Sequence, residues 1–287
     1  MRANVLLESR PQVQSVVAGI NYLKAASEHP YDYAYEPPDG GPWQNYESEV
    51  RAMRITDARS LSSCPSLHGE GFELRDAPTA VVNFLNEEAI TTVYYNEAAE
   101  LALAATGATR AYVFDHLVRK RDAGRSTLSF GRRGASKQPS ANGRTHVDYT
   151  EDSGRRRLEL VLQDPRAVDA VERYSIVNIW RSIKGPILDT PLAVCDARSV
   201  SARELVCSEV RYPARTGEIY LVRHSRRHAW FYFSTMERHE ALIFKQYDSQ
   251  VSGISRFVPH AAFDLPHTPL DAPLRESIEI RCLVTYE

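Results

Sequence analysis

Charge of one sign is missing from this sequence: 35 Lys and Arg stand against 37 Asp and Glu, a formal net charge of −2. That balance removes any global electrostatic case for nucleic acid or an anionic membrane as partner. Paired cysteines are missing too. Cys64, Cys195, Cys207 and Cys282 form no C-x-x-C, and their spacing suits neither a zinc site nor a dense disulfide framework. Reduced, mostly buried thiols are the expectation. Residues 1–19 lack the uninterrupted apolar stretch of a signal peptide or membrane anchor, because Arg2, Glu8 and Arg10 break it. A cytoplasmic protein follows, with no membrane partner. Internal repeats and long linkers are absent as well, so the 287 residues read as one domain.

What is present divides unevenly along the chain. Residues 21–71 are rich in Tyr, Pro and Gly, with Pro37-Pro38-Asp39-Gly40-Gly41-Pro42 as the densest cluster of breakers, which predicts irregular structure with short strands. We therefore expect an N-terminal irregular extension over 1–75 and a core over 76–287. Ile90, Val93, Tyr94, Glu97, Ala98, Leu101 and Ala105 recur with helical spacing up to Gly107, predicting an amphipathic helix over 86–106 that covers a sheet. Asp164-Pro165 starts a short helix. Strands are predicted at 111–114, 146–149, 175–183, 192–195, 242–247 and 276–285, and a hairpin from 218–222 and 229–233 around His224-Ser225-Arg226-Arg227-His228. So many short strands need a closed or sandwiched sheet, and a jelly-roll barrel is the common form that houses a metal. The fold class expected is mainly β with flanking helices.

Within that frame Arg144-Thr145-His146-Val147-Asp148-Tyr149 carries the chemistry. Side chains at i and i+2 of a strand share a face, so His146 and Asp148 can grip one ion. His260, in Phe257-Val258-Pro259-His260, is the candidate third ligand. Two His and one carboxylate leave half of an octahedral Fe(II) open for a co-substrate and O₂. Taken alone, His146-x-Asp148 is a common pairing that equally describes a surface His beside a solvated Asp. On the last strand Arg275, Ser277, Glu279 and Arg281 alternate with Ile278, Ile280, Cys282 and Val284. An arginine pointing into a barrel needs an anion, and a dicarboxylate such as 2-oxoglutarate could use Arg275 and Ser277 together. A salt bridge from Arg275 to Glu276 is the plainer alternative, and Arg281 is a competing clamp.

Other residues are weaker candidates. Asn178, Trp180 and Arg181 could line the pocket, although a tryptophan on a strand is more often core. His116 reads as a structural hydrogen-bonding residue, and His224, His228 and His239 as exposed. The stretch 119–144 has eight Lys and Arg against one Asp, which suits a solvated loop, a lid, or a grip on an anion.

His146-Val147-Asp148, Asn178-Ile179-Trp180-Arg181, Cys195-Asp196-Ala197-Arg198-Ser199, Phe244-Lys245-Gln246-Tyr247-Asp248-Ser249, Pro259-His260-Ala261-Ala262-Phe263 and Arg275-Glu276-Ser277-Ile278-Glu279 occur in order. Together they resemble the gibberellin-desaturase-like family of Fe(II)/2-oxoglutarate-dependent oxygenases. That family includes fungal hydroxylase/desaturases of secondary metabolism and the auxiliary protein of cephamycin methoxylation. The resemblance runs from about Tyr94 to the C-terminus. It implies a double-stranded β-helix, a cupin-like barrel, with His146, Asp148 and His260 on iron and Arg275 with Ser277 on 2-oxoglutarate. It further implies hydroxylation, desaturation or oxidative cyclisation of a small specialised metabolite, with Fe(II), 2-oxoglutarate and O₂ required. A small-molecule substrate is the expected partner, and a homodimer is allowed. Two rival readings stay open at this point: an iron oxygenase that does not use 2-oxoglutarate, and a non-catalytic binding or auxiliary protein.

Overall fold

The computed structural model describes residues 13–24, 26, 28–124, 127 and 139–287. Arg2, Glu8 and Arg10, and half of the basic stretch suggested as a lid, lie outside these residues.

The described residues form fourteen strands: β1 (Ser15–Leu23), β2 (Tyr31–Tyr33), β3 (Ser48–Asp57), β4 (Phe72–Asp76), β5 (Arg110–Lys120), β6 (His146–Val147) and β7 (Arg173–Ser182), followed by β8 (Leu192–Cys195), β9 (Leu205–Arg211), β10 (Thr216–Val222), β11 (Trp230–Tyr232), β12 (Glu240–Asp248), β13 (His260–Ala262) and β14 (Glu276–Tyr286). They form a nine-stranded sheet in the order β1-β3-β11-β8-β13-β6-β10-β9-β2 and a five-stranded sheet in the order β4-β12-β7-β14-β5. Two curled sheets facing each other give the jelly-roll barrel that the strand count predicts.

The five-stranded sheet is built by alternation, interrupted by register shifts at Lys245/Tyr247 and at Arg281/Cys282. Ile278, Ile280, Cys282 and Val284 of β14, with Val177 and Ile179 of β7, face outward and pack on Ile90, Tyr94, Ala98 and Ala102. Those four residues lie on a helical run made of α1 (Glu87–Ala89), a π-helical turn Ile90–Tyr94 and α2 (Tyr95–Thr106). The Asn86 side chain caps its start by accepting from the Ala89 N–H, and Gly107, at φ 68°, ends it in a left-handed conformation that glycine adopts without strain. The opposite phase of each strand points into the barrel, where Trp180, Leu242, Phe244 and Phe72 meet Leu192 and Val194 of the facing sheet.

Several expectations need correction. The described residues up to 75 do not form an irregular arm. Nine-residue β1 and ten-residue β3 pair along their whole length, β3 pairs in parallel with β11, and β4 pairs with β12, so this segment extends both sheets. Ile20, Tyr22, Met53 and Ile55 bury the apolar phase of β1 and β3 against Trp230 and Phe263. The expected hairpin of β10 with β11 does not form. β10 pairs with β9 and β6, while β11 pairs with β3 and β8. His228 is accordingly buried, bonded to Tyr22 and Glu204, and not exposed.

A helix that the apolar pattern does not announce, α3 (Glu151–Leu162), precedes the expected α4 (Pro165–Asp169). Thr150 and Ser153 close its first turn reciprocally. Its buried side is Ser153, Gly154 and Leu158, too small a face to register as an apolar stripe. At Gly154 a Cβ would stand 2.9 Å from the Tyr247 ring, so only glycine lets α3 lie this close to β12. No helix among the described residues is long and apolar enough to cross a membrane. All four cysteines are free. Cys195 and Cys282 are buried, Cys207 is half-buried and Cys64 is exposed.

Candidate functional site

β6 and β13 are neighbours in the nine-stranded sheet, and their single paired position sets His260 opposite His146. The two ring centroids are 4.3 Å apart. Asp148 lies one residue past β6, where the chain bends, and its backbone N–H is held by Gln246 Oε1 at 2.7 Å. One ligand atom from each of His146, Asp148 and His260 falls within 4.8 Å of the others. Two stretches of chain more than a hundred positions apart thus bring their side chains to one point inside the barrel.

The hydrogen bonds around them set protonation. His146 Nδ1 lies 2.8 Å from the Arg144 carbonyl oxygen, and His260 Nδ1 lies 3.4 Å from that of Val258. Each carbonyl can accept only from a protonated Nδ1, which leaves Nε2 as the lone-pair donor toward the shared point. Burial, together with the neighbouring His260, pushes His146 down to about 4, so this ring is neutral at physiological pH, as a metal ligand must be. Burial alone would raise the Asp148 carboxyl, but the Arg281 guanidinium and the two imidazoles hold it well below the usual carboxylate range.

Asp148 is also divided between its two oxygens. Oδ2 accepts from Asn178 Nδ2 at 2.8 Å and from Arg281 Nε at 2.9 Å, while Oδ1 faces His146 Nε2 at 3.3 Å. Fixing one oxygen leaves the other for a metal. Asn178, expected in the pocket wall, instead orients Asp148. Arg281 is engaged in the same way, with Glu279 at 2.8 Å and Asp115 at 3.4 Å completing its partners.

Arg275 has a different environment. Its Nη1 donates to the Thr190 carbonyl at 2.9 Å, and Asp189 accepts its backbone N–H. The Arg275 Nε and the Ser277 hydroxyl are buried with no hydrogen-bond partner among the described residues. Burial, with the Arg119 charge beside it, lowers the guanidinium to about 10, and it stays protonated at neutral pH. A cavity of about 20 Å³ joins Arg275 to His146 and His260, walled by Trp180, Arg119 and Glu279. Its size corresponds to about one water, so side chains must part to admit a five-carbon diacid. The chemistry fits such a ligand: an unsatisfied guanidinium and hydroxyl at one end, three metal-type donors at the other.

Arg181 does not belong to this site. It lies on the outward phase of β7, where its Nε donates to Tyr94 Oη at 2.7 Å and its Nη1 to the Ala77 carbonyl at 2.8 Å. His116 is structural, bonded to Tyr95 and near Glu87. Gln246, Asn142, Arg119 and Glu279 were not singled out from the sequence as site residues. For Glu279 a signal existed, since it shares the inward phase of β14, whereas Arg119 is brought to the site by the pairing of β5 with β14, opposite Ser277. For Gln246, a polar residue inside a buried strand was the only hint.

A family model described as an oxidoreductase/YMDC permease-like domain matches residues 20–285. The hydroxylase/desaturase efuI of Hormonema carpetanum is 31% identical over 89% of this chain and 94% of its own length. The Fe(II)/2-oxoglutarate-dependent dioxygenase nvfI of Aspergillus novofumigatus is 29% identical, covering 88% of this chain and 89% of the relative. A solved structure of the iron and alpha-ketoglutarate-dependent endoperoxidase NvfI superposes with a TM-score of 0.82 at 24% identity, covering 95% of this chain and 98% of that one, and shows the same fold. With a barrel of this topology and full-length similarity to such enzymes, the chain belongs to the hydroxylase/desaturase family of Fe(II)/2-oxoglutarate-dependent oxygenases.

Proposed function

We infer that His146, Asp148 and His260 hold Fe(II), that Arg275 and Ser277 hold the far carboxylate of 2-oxoglutarate, and that the enzyme oxidises a C–H bond of a small specialised metabolite. Hydroxylation, desaturation and ring closure are the outcomes open to it. The observation that carries this reading is the meeting of three metal-type donors within 4.8 Å, next to a buried Arg275 Nε and Ser277 hydroxyl that lack partners among the described residues. With iron and co-substrate bound, O₂ supplies the oxidant that removes hydrogen from carbon. The chain's own part is positional. The carbonyls of Arg144 and Val258 fix the two imidazole tautomers, Asn178 and Arg281 turn one Asp148 oxygen toward the metal position, and Trp180 with Leu192 keeps the cavity apolar between its polar ends. A cytoplasmic setting suits four cysteines that form no disulfide.

The test is anaerobic loading with Fe(II) and 2-oxoglutarate, then admission of O₂ and measurement of succinate and CO₂ from labelled co-substrate. Slow uncoupled release is expected from the wild type, with none from His146→Ala. Metal uptake without succinate would favour the oxygenase that does not use 2-oxoglutarate, and no metal uptake would favour the auxiliary protein.

A further inference from the structure

Asp148 and Arg281 have a second exposure, away from the small cavity that contains Arg275. They form the inner end of a cleft of about 340 Å³ between α3 and the β9–β10 hairpin. That volume lies within the range that encloses a small ligand. Its walls are mixed. Tyr149, Leu160, Val210 and Ile219 give apolar surface, and Arg156, Arg157 and Arg215 give positive charge.

The state of these arginines is the informative point. Arg281, at the inner end, is saturated by Asp148, Asp115 and Glu279. Glu218, the other acid of the wall, accepts from the Thr150 hydroxyl at the start of α3. Arg155, one position earlier on α3, pairs with Glu159 and Asp169. Arg156, Arg157 and Arg215 have no such carboxylate among the described residues. Arg157 is half-buried, its Nε is shielded from solvent without an acceptor, and its guanidinium is stacked 4.4 Å over the Phe114 ring and 6.0 Å from that of Tyr149. Arg215 is stacked in the same manner, 4.1 Å over Tyr212. Stacking on an aromatic face fixes a guanidinium in place while leaving its edge free to donate. A shielded N–H left without an acceptor is a costly arrangement unless a ligand completes it.

We propose that this cleft is the substrate site and that it selects a small amphipathic molecule bearing a carboxylate, which Arg157 binds while the apolar body lies along Tyr149 and Ile219 toward Asp148. The proposal rests on the iron reading above and deepens it by naming the substrate class. Arg157 sets which end of the molecule stays outermost and which end lies against Asp148. Arg156 and Arg215, both exposed at the rim, add attraction without geometry.

The test uses the Fe(II)- and 2-oxoglutarate-loaded protein without O₂, so that the Arg275 end is already filled. Equilibrium binding is measured for 2-naphthoate and octanoate against their neutral amides. At least one acid is expected to bind about tenfold or more tightly than its amide, the scale of one charge-assisted hydrogen bond. The preference should vanish in Arg157→Met, return in part in Arg157→Lys, and persist in Arg155→Met, which removes the same net charge from the same helix. No preference for either acid in the wild type overturns the proposal without recourse to any variant, as does a preference that survives in Arg157→Met. The charge-transfer absorption of the iron–2-oxoglutarate complex is followed in the same samples. Its absence would count against the iron reading itself, whereas its presence with equal binding of acid and amide would overturn the anionic cleft alone.

Discussion

Arg275 and Arg281 stand at the two ends of one inward-facing row on the last strand, and their surroundings are opposite. Around Arg281 every partner is protein: Asp148, Asp115 and Glu279 surround the guanidinium, and burial is more than offset by that charge, so its proton is held more firmly than usual. Around Arg275 a buried Nε and the neighbouring Ser277 hydroxyl lack partners among the described residues, and burial weakens the hold on the proton. Buried polar groups are nearly always satisfied, so a saturated arginine is scaffold and an unsatisfied one marks where a ligand arrives. The same criterion separates Arg155 from Arg157 on α3.

The largest effect expected from this contrast comes from exchanging each arginine for leucine. Arg275→Leu should raise the KM for 2-oxoglutarate roughly hundredfold, because one partner of a buried charged pair is lost, while iron affinity changes little. Without ligand its stability should be unchanged or higher, since an incompletely paired buried charge is removed. Arg281→Leu should do the reverse. It leaves the Asp148 carboxylate buried with only Asn178, at a cost of about 3–5 kcal/mol in urea unfolding, and it weakens iron. If Arg275→Leu leaves the KM unchanged, the clamp passes to another cation of that cavity, Arg119.

Asn178→Ala sharpens the scaffold side of the comparison at smaller cost. Loss of the 2.8 Å bond to Asp148 Oδ2 frees the carboxylate to rotate, and iron affinity should fall about tenfold or more, as for other partners of metal ligands. Competition with a chromogenic chelator measures this, and an unchanged affinity would leave Asp148 positioned by Arg281 alone. The smallest effect on the site is expected from Arg181→Met. Its bonds to Tyr94 and Ala77 lie on the helix side of β7, so thermal unfolding should show a loss of about 1–3 kcal/mol while the KM for 2-oxoglutarate stays at the wild-type value. A raised KM there would mean that the packing of the helix on β7 is felt inside the barrel.

These variants also trace how much of the site was legible in the chain. The period-two alternation of residues 276–285 is enough to place Arg275, Ser277, Glu279 and Arg281 on one face, and β14 keeps that phase from Ser277 to Arg281. The same alternation should have put Arg181 opposite Trp180, since the two are adjacent on a strand, yet a local cluster of polar residues suggested a shared wall. The hairpin assigned to residues 218–233 failed for a similar reason. Short strands separated by a polar turn look alike whether they pair with each other or with distant partners, and here β11 takes β8 and β3. The long N-terminal strands were hidden because Pro and Gly clusters near them dominate the local reading, while the surface that pairs with β3 lies on β11, more than 170 residues away.

Strand alternation and residue chemistry are local properties of the chain, and they suffice for a mainly β fold, for His146 and Asp148 on one face and for the candidates of the anion clamp, with His260 a candidate third donor by its chemistry alone. Which arginine is spent on the scaffold and which is left with an unmet donor was decided only by the tertiary structure. Hydrogen-bond satisfaction depends on what the other strands bring within reach, and in this barrel the partners of residues 275–281 come from β5, β7, the residue after β6 and the loop before β8.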